Sequence, residues 1–197
     1  MNSDWKNYYE QTKNRPPSKL LIKALPFVKD KDCALDLGSG ALKDSKYLLS
    51  EGFKEVRAVD KEPLPEDTAS NISDIKDQRF HFTQSAFEKF EFPSNKFDLI
   101  NASYSLPFIL PDRFLMVWNS IKNSLKNGGV FTGQFFGVKD EWNTSKNNMT
   151  FHTLEEAKNL FKDFEILDFE EEEKDGQTAD GQAKHWHVFH MIARKLG

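Results

Sequence analysis

The sequence predicts an α/β fold, doubly wound around a mainly parallel sheet, with an antiparallel hairpin at its C-terminal end. Three observations carry this. Short apolar runs alternate with longer amphipathic stretches through most of the chain, as strands and crossover helices do. A Gly38-Ser39-Gly40 turn follows the first apolar run directly and opens a helix. Two late runs, near 164–169 and 186–193, are separated by Asp175-Gly176 and Asp180-Gly181, residues that turn a chain back on itself. At 197 residues the expectation is a single domain over 1–197, long enough to bury a core without staples.

The elements follow in order. Trp5, Tyr8, Tyr9 and Thr12 recur at helical spacing, so the chain should begin with a short helix bearing an aromatic face, broken by Arg15-Pro16-Pro17. A second helix carries Leu21, Ala24, Leu25 and Val28 and is interrupted near Pro26. Cys33–Leu37 reads as a buried strand, and the helix after the glycine turn carries Leu42, Tyr47, Leu48 and Leu49 before Gly52 ends it. Glu55–Asp60 and Phe80–Gln84 are strands, with a Pro63/Pro65 loop and a polar helix near 67–77 between them. Phe97–Asn101 is the fourth strand. Pro111-Asp112 opens a helix burying Phe114, Leu115, Trp118, Ile121 and Leu125, which should stop at Asn127-Gly128-Gly129 ahead of a strand over Val130–Phe136. Residues 137–150 form a long polar loop, a length often reserved for function, and Thr153 caps the last helix.

Composition excludes several classes. Eighteen Phe and 38% hydrophobic residues are too many for a disordered chain, and 29% charged residues break every run before it reaches bilayer length. The single cysteine, Cys33, has no partner for a disulfide, and the N-terminus lacks a signal-like segment, so a cytoplasmic protein is expected, with no membrane association. Net charge is −4 and Lys and Arg are scattered, so no nucleic-acid partner is expected. The run Glu170–Glu173 reads as a strand end or the solvated arm of a hairpin.

The chemistry points to the first turn. Glycines at the end of a strand let the backbone turn tightly and let a ligand approach the main chain. Asp60 closes the second strand, at the offset where a carboxylate accepts hydrogen bonds from both hydroxyls of a bound ribose. A dinucleotide fingerprint asks for a third glycine at 43, where this chain has Lys43, and no Gly-Lys-Ser/Thr of a nucleotide hydrolase follows.

These residues resemble the class I S-adenosylmethionine-dependent methyltransferases, and the resemblance covers nearly the whole chain. Ala34–Gly40 is similar to their first motif, Val59-Asp60 to the second and Gln84–Phe87 to the third. Phe97–Ala102 is similar to their fourth strand and Leu125–Val130 to the turn before the fifth. The chain departs from the pattern at Ala41-Leu42, where a further glycine is usual, and at Ser85, often an acid. Arg15, the length and Ile192–Lys195 most resemble the small tellurite-resistance-like branch. The resemblance implies a Rossmann-like sheet of seven strands and S-adenosyl-L-methionine as cofactor. It implies cofactor contacts at Arg15, Asp36, Gly38, Ser39, Gly40, Asp60, Lys61, Ser85, Ala86, Phe87, Asn101, Ala102 and Ser103. It also implies a small-molecule methyl acceptor held in line with the methyl–sulfur bond, and an N-terminal lid helix over 1–17.

Strand ends are where ligands bind in such sheets, which makes Tyr104 and Phe136 the substrate-pocket candidates. No residue is isolated as a general base, and a soft nucleophile needs none. His185 and His187 alternate on one strand without the carboxylate or thiolate partners of a metal site, so no metal is expected. Two other readings stay open: a nicotinamide-dependent reductase, disfavoured by Lys43 and the missing substrate domain, and a non-catalytic protein that binds the same cofactor. Acceptor identity and oligomeric state are not written in the sequence.

Overall fold

The computed structural model describes residues 3–64 and 78–197. The helix expected near 67–77 lies outside the described residues. Two short helices, α1 (Ser3–Thr12) and α2 (Lys19–Ala24), precede strand β1 (Cys33–Leu37), and α2 runs into a 3₁₀ turn at Leu25–Phe27 where Pro26 removes a backbone donor. Helix α3 (Lys43–Ser50) joins β1 to β2 (Glu55–Asp60); β3 (Phe80–Gln84) and β4 (Phe97–Ala102) follow. Helix α4 (Pro111–Ser124) leads to β5 (Leu125–Gly137), and a two-residue β6 (Phe151–His152) precedes α5 (Leu154–Asn159). Strands β7 (Phe164–Gln177) and β8 (Ala183–Lys195) close the chain.

The sheet order is β3-β2-β1-β4-β5-β8-β7, with β6 added beside β5. Strands β1 to β6 pair in parallel, while β8 runs antiparallel to both β5 and β7. The parallel sheet with an antiparallel C-terminal hairpin is therefore as expected; β6 raises the strand number from seven to eight. Order reverses between β1 and β4, so the C-terminal ends of these two strands form the crevice where ligands bind in such sheets.

Two apolar layers hold the sheet. On one face, Leu21, Ala24, Leu48, Leu49 and Phe53 pack on Ala34, Val56, Leu99, Val130 and Ile192. On the other, Phe114, Val117, Trp118 and Ile121 recur at helical spacing along α4 and meet Phe131, Phe135, Phe161 and Phe189. Full burial of each such side chain is worth roughly 1.5–3 kcal/mol. Thr153 caps α5 in a reciprocal box with Glu156.

Two boundaries differ from expectation. Helix α4 stops at Ser124 rather than at Asn127–Gly129, because Leu125 already pairs with Phe97 and β5 carries the intervening residues through a bulge. The terminal strands are longer than their apolar cores. Glu170–Glu173 lies inside β7, where Glu170 faces His190 and Glu173 faces His187 of β8 across the ladder. Asp98 lies near the start of β4, away from the ligand end, is 4% exposed and accepts from the Asp32 and Cys33 backbone N–H groups and from Lys126.

Candidate active site

Strand β1 delivers Gly38-Ser39-Gly40 to the crevice. Gly38 adopts φ +75°, and a Cβ there would stand 2.3 Å from Cβ of Ser105, so only glycine fits where this turn meets the β4 exit. Ser105 in turn donates its hydroxyl to the Leu37 carbonyl at 2.7 Å. Gly38 and Ser39 donate their N–H groups to the Val59 carbonyl, and Gly40 donates to Asp60 Oδ2 at 2.9 Å, which binds the turn to the end of β2. Asp60 also accepts from the Glu62 N–H, and burial pushes its carboxyl above the usual range, those backbone donors opposing the shift.

Below the turn lies a sealed polar floor. Asp36 accepts from Ser45 Oγ at 2.6 Å and from Asn101 Nδ2 at 2.9 Å, and the same Asn101 nitrogen reaches Asp44 Oδ2 at 3.2 Å. Burial and then the neighbouring Asp44 charge push the Asp36 carboxyl up to about 7. Asp44 also accepts from the Ser18 N–H and from Lys43 Nζ, tying the Arg15–Ser18 connection to this floor. Thus Lys43, where a dinucleotide site needs glycine, serves the floor through Asp44.

The remaining expected residues converge on the same edge. Lys61 follows β2, and Ser85 donates its N–H to the Asp60 carbonyl. Ala86 opens the 3₁₀ turn that carries Phe87, whose ring tip lies 3.7 Å from the position of a Gly38 Cβ. Ala102 ends β4, and Ser103 and Tyr104 leave it. Arg15 is exposed between α1 and α2, and its charge, with those of Asp60 and Asp44, is felt at the Tyr8 phenol. Asp36 and Asn101 differ from the rest, because the hydrogen bonds of their side chains are spent within the floor.

Tyr104 and Phe136 stand together, ring centroids 6.3 Å apart, with Trp186 6.4 Å from Tyr104 and 5.8 Å from Phe136. Behind them Lys184 is sealed against Trp186, Trp142 and Phe136 and pairs with Asp140 at 2.6 Å. This pair fastens the 137–150 loop to β8. Neither residue was singled out from the sequence, since 44 positions separate them and each alone reads as a surface charge. His187 is packed against Gly137 and bonds Glu171, while His185 faces Asp175. Among the described residues no three His, Cys, Asp or Glu are grouped to hold a metal ion. Cys33 is buried, its thiol pushed up to about 12 by desolvation first, and it serves the core.

Known proteins agree with this geometry. Residues 34–129 match the family described as methyltransferase domain. No curated protein matches the sequence. Among solved structures, the 1,6-didemethyltoxoflavin-N1-methyltransferase of Burkholderia thailandensis, crystallised with 1,6-didemethyltoxoflavin and S-adenosylhomocysteine, aligns at TM-score 0.72 and 20% identity over 99% of this chain and 82% of that one. TehB from Haemophilus influenzae aligns at TM-score 0.74 and 18% identity, over 97% and 67%. An S-adenosylmethionine-dependent methyltransferase from Methanosarcina mazei aligns at 0.66 and 18%, over 92% and 99%. The fold is that of the class I S-adenosylmethionine-dependent methyltransferases. Residues 34–129 are similar to a methyltransferase domain, and the structures that share this fold include S-adenosylmethionine-dependent methyltransferases.

Ser39 tests whether the cofactor suits this particular turn. Its hydroxyl is buried and has no hydrogen-bond partner among the described residues, at the point where the glycines keep side chains out of the way. A polar ligand lying along the turn satisfies that oxygen, so the residues present fit the cofactor.

Proposed function

We propose that this chain, one domain over 1–197, methylates a small-molecule acceptor in the cytoplasm. Gly38, Ser39, Gly40, Asp60, Lys61, Ser85, Ala86, Phe87, Ala102 and Ser103 would hold S-adenosyl-L-methionine, with Asp36 and Asn101 as the floor beneath. Bound there, the cofactor supplies an electrophilic methyl group on a sulfonium. The chain's own work is then positioning and exclusion of water. Asp60 fixes the turn through the Gly40 N–H and keeps lone pairs for a ribose. Tyr104 and Phe136 wall the acceptor side.

One observation favours a small acceptor above others. A cavity of about 200 Å³, with room for a small ring system, is bounded by Lys19, Leu20, Lys23, Glu170, Glu172 and His190, and the His190 ring lies 6.4 Å from Tyr104. A second cavity, about 160 Å³, lies at the opposite end of the strands around Asp98 and Lys126, away from the glycine turn. The absence of a basic cluster in the sequence supports the same reading, as does the printed substrate of the Burkholderia enzyme. Among the described residues no helix is long and apolar enough to cross a membrane.

We extend the proposal to residues 1–17 as a lid. Tyr8 feels Asp60, Asp44 and Arg15 from α1, and Tyr104 feels Tyr8, so the N-terminal helix is close to both halves of the site. The test is an acceptor screen with methyl-labelled cofactor, alongside a gel-shift assay with tRNA and DNA at physiological salt. Label in a small product with no shifted nucleic acid is expected; salt-sensitive retention of tRNA would transfer the acceptor to the nucleic-acid class.

A further inference from the structure

Gln134 sits in the middle of the apolar β5 run and is 2% exposed. Its Oε1 accepts the backbone N–H of Tyr104 at 3.0 Å. Since an N–H requires an acceptor, this bond fixes which end of the amide faces Tyr104. The Nε2 end therefore points elsewhere. It has no hydrogen-bond partner among the described residues and is not sealed from solvent. With no protein group to accept from them, these two donors are left for water or a ligand.

Tyr104 has φ +53°, a left-handed conformation that is unfavourable for a bulky side chain. Such strain persists only where the surroundings hold it, and the Gln134 bond is made to this strained residue's own N–H. On the neighbouring strand His190 lies directly opposite Gln134. Opposed residues of an antiparallel pair project on the same face, about 5 Å apart at Cβ. The His190 ring meets Tyr104 edge-on at 6.4 Å and also lines the 200 Å³ cavity. Burial pulls its imidazole below the usual range against the opposing Glu172 and Glu170 carboxylates, and its Nε2 lies 3.8 Å from Glu172 Oε1, which leaves Nδ1 to accept.

The charges around the cavity balance. Lys23 is paired with Asp168 at 2.7 Å, and Glu172 with Lys174 at 2.7 Å and with His190 Nε2 at 3.8 Å, which leaves Lys19 to offset Glu170. Such a wall selects neither cations nor anions.

Building on the methyltransferase reading, we propose that Gln134 reads the acceptor: its oxygen positions Tyr104, and its N–H₂, beside His190, binds an uncharged ring bearing adjacent carbonyl and N–H groups. The Gln134 amide donates to the carbonyl, His190 accepts from the N–H, and Tyr104 covers the ring. This lactam edge meets the Gln134 donors and the remaining His190 acceptor at once, which neither a simple arene nor a cation does.

The test is calorimetry on the full chain saturated with S-adenosylhomocysteine, using quinazolin-4-one as a bicyclic lactam and naphthalene as its shape without the edge. Quinazolin-4-one is expected to bind at least tenfold tighter than naphthalene. Gln134→Glu keeps an oxygen for Tyr104 but removes both amide donors; it should weaken quinazolin-4-one at least tenfold and leave S-adenosylhomocysteine within about twofold. The wild-type comparison stands even if that variant folds poorly. Equal affinity for the two rings, no binding of quinazolin-4-one, or an unaffected Gln134→Glu variant would each overturn the inference. Failure of S-adenosylhomocysteine itself to bind would overturn the methyltransferase reading, and this inference with it.

Discussion

Lys184 donates to both carboxylate oxygens of Asp140 at 2.6 Å, and the two side chains are 1% and 0% exposed. The ammonium also lies 3.5 Å from the Trp186 ring centroid and 4.4 Å from that of Trp142. Asp140 additionally accepts from the Trp142 and His187 backbone N–H groups. The pair therefore anchors the 137–150 loop beside the proposed acceptor pocket.

Removing one partner leaves the other charge buried and alone. Lys184→Met keeps the stem's packing but strands Asp140, and the expected loss is about 3–5 kcal/mol of unfolding free energy. Adding Asp140→Asn should recover more than half of it. Urea unfolding of the wild type and the two variants checks this, and a loss below about 1 kcal/mol for Lys184→Met would mean that the pair is not sealed in solution.

Gly38→Ala brings a methyl to within 2.3 Å of Ser105 Cβ and places a side chain at φ +75°. The left-handed backbone alone costs roughly 1–2 kcal/mol. Ser105→Gly removes the clash but not that backbone cost, so the double variant should be more stable than the sum of the two single losses by at least about 1 kcal/mol. Additive losses would show that the turn and the β4 exit do not touch.

How far the sequence reaches is instructive at particular residues. β1 to β3 were legible to the residue and β4 to within one, because their short apolar runs are set off by polar flanks, and Asp60 and the glycine turn stood out by spacing alone. The start of β5 was not, since Asn127-Gly128-Gly129 has the local character of a helix stop while pairing with β4 governs the outcome. The outer halves of β7 and β8 were missed because cross-strand charge pairing, not apolar alternation, holds them. Gln134 left one trace, a lone amide among Phe and Val in a buried strand, and that trace marks a polar group with a task. The Asp36–Asn101–Asp44 floor and the Asp140–Lys184 pair are tertiary and left none.

Stability should respond to pH through Asp36. Its carboxyl is pushed up to about 7 in the folded chain, whereas the unfolded chain has an ordinary carboxyl near 4. Between those values the folded state holds a proton that the unfolded state has released. The stability this group contributes is thus complete below about pH 4 and is lost as pH rises toward 7. Asp36→Asn keeps hydrogen-bonding groups for Asn101 and Ser45 without the titration, so it should gain on the wild type from pH 5 to 7, by up to about 1.4 kcal/mol per pH unit. Melting curves at pH 5, 6, 7 and 8 read the difference, and a gap that stays constant contradicts the raised carboxyl.

Asp60→Ala removes the acceptor for the Gly40 N–H along with any ribose contact. Cofactor affinity should fall roughly ten- to a hundredfold, at about 1.4 kcal/mol per decade, with the fold retained. Asp98→Ala should show the reverse pattern. It releases the Asp32 and Cys33 N–H groups and Lys126, so it lowers the melting temperature while cofactor affinity in the remaining folded protein is unchanged. Calorimetry and melting curves on both variants separate the two roles; equal loss of affinity in both would misplace the ligand end of the sheet.

The central claim is that the Gly38–Gly40 turn with Asp60 holds S-adenosylmethionine and not a dinucleotide. Isothermal calorimetry with S-adenosylhomocysteine and NADP, run on the same preparation, measures it directly. Micromolar binding of S-adenosylhomocysteine with no heat from NADP is the predicted result. Tighter binding of NADP than of S-adenosylhomocysteine would contradict it.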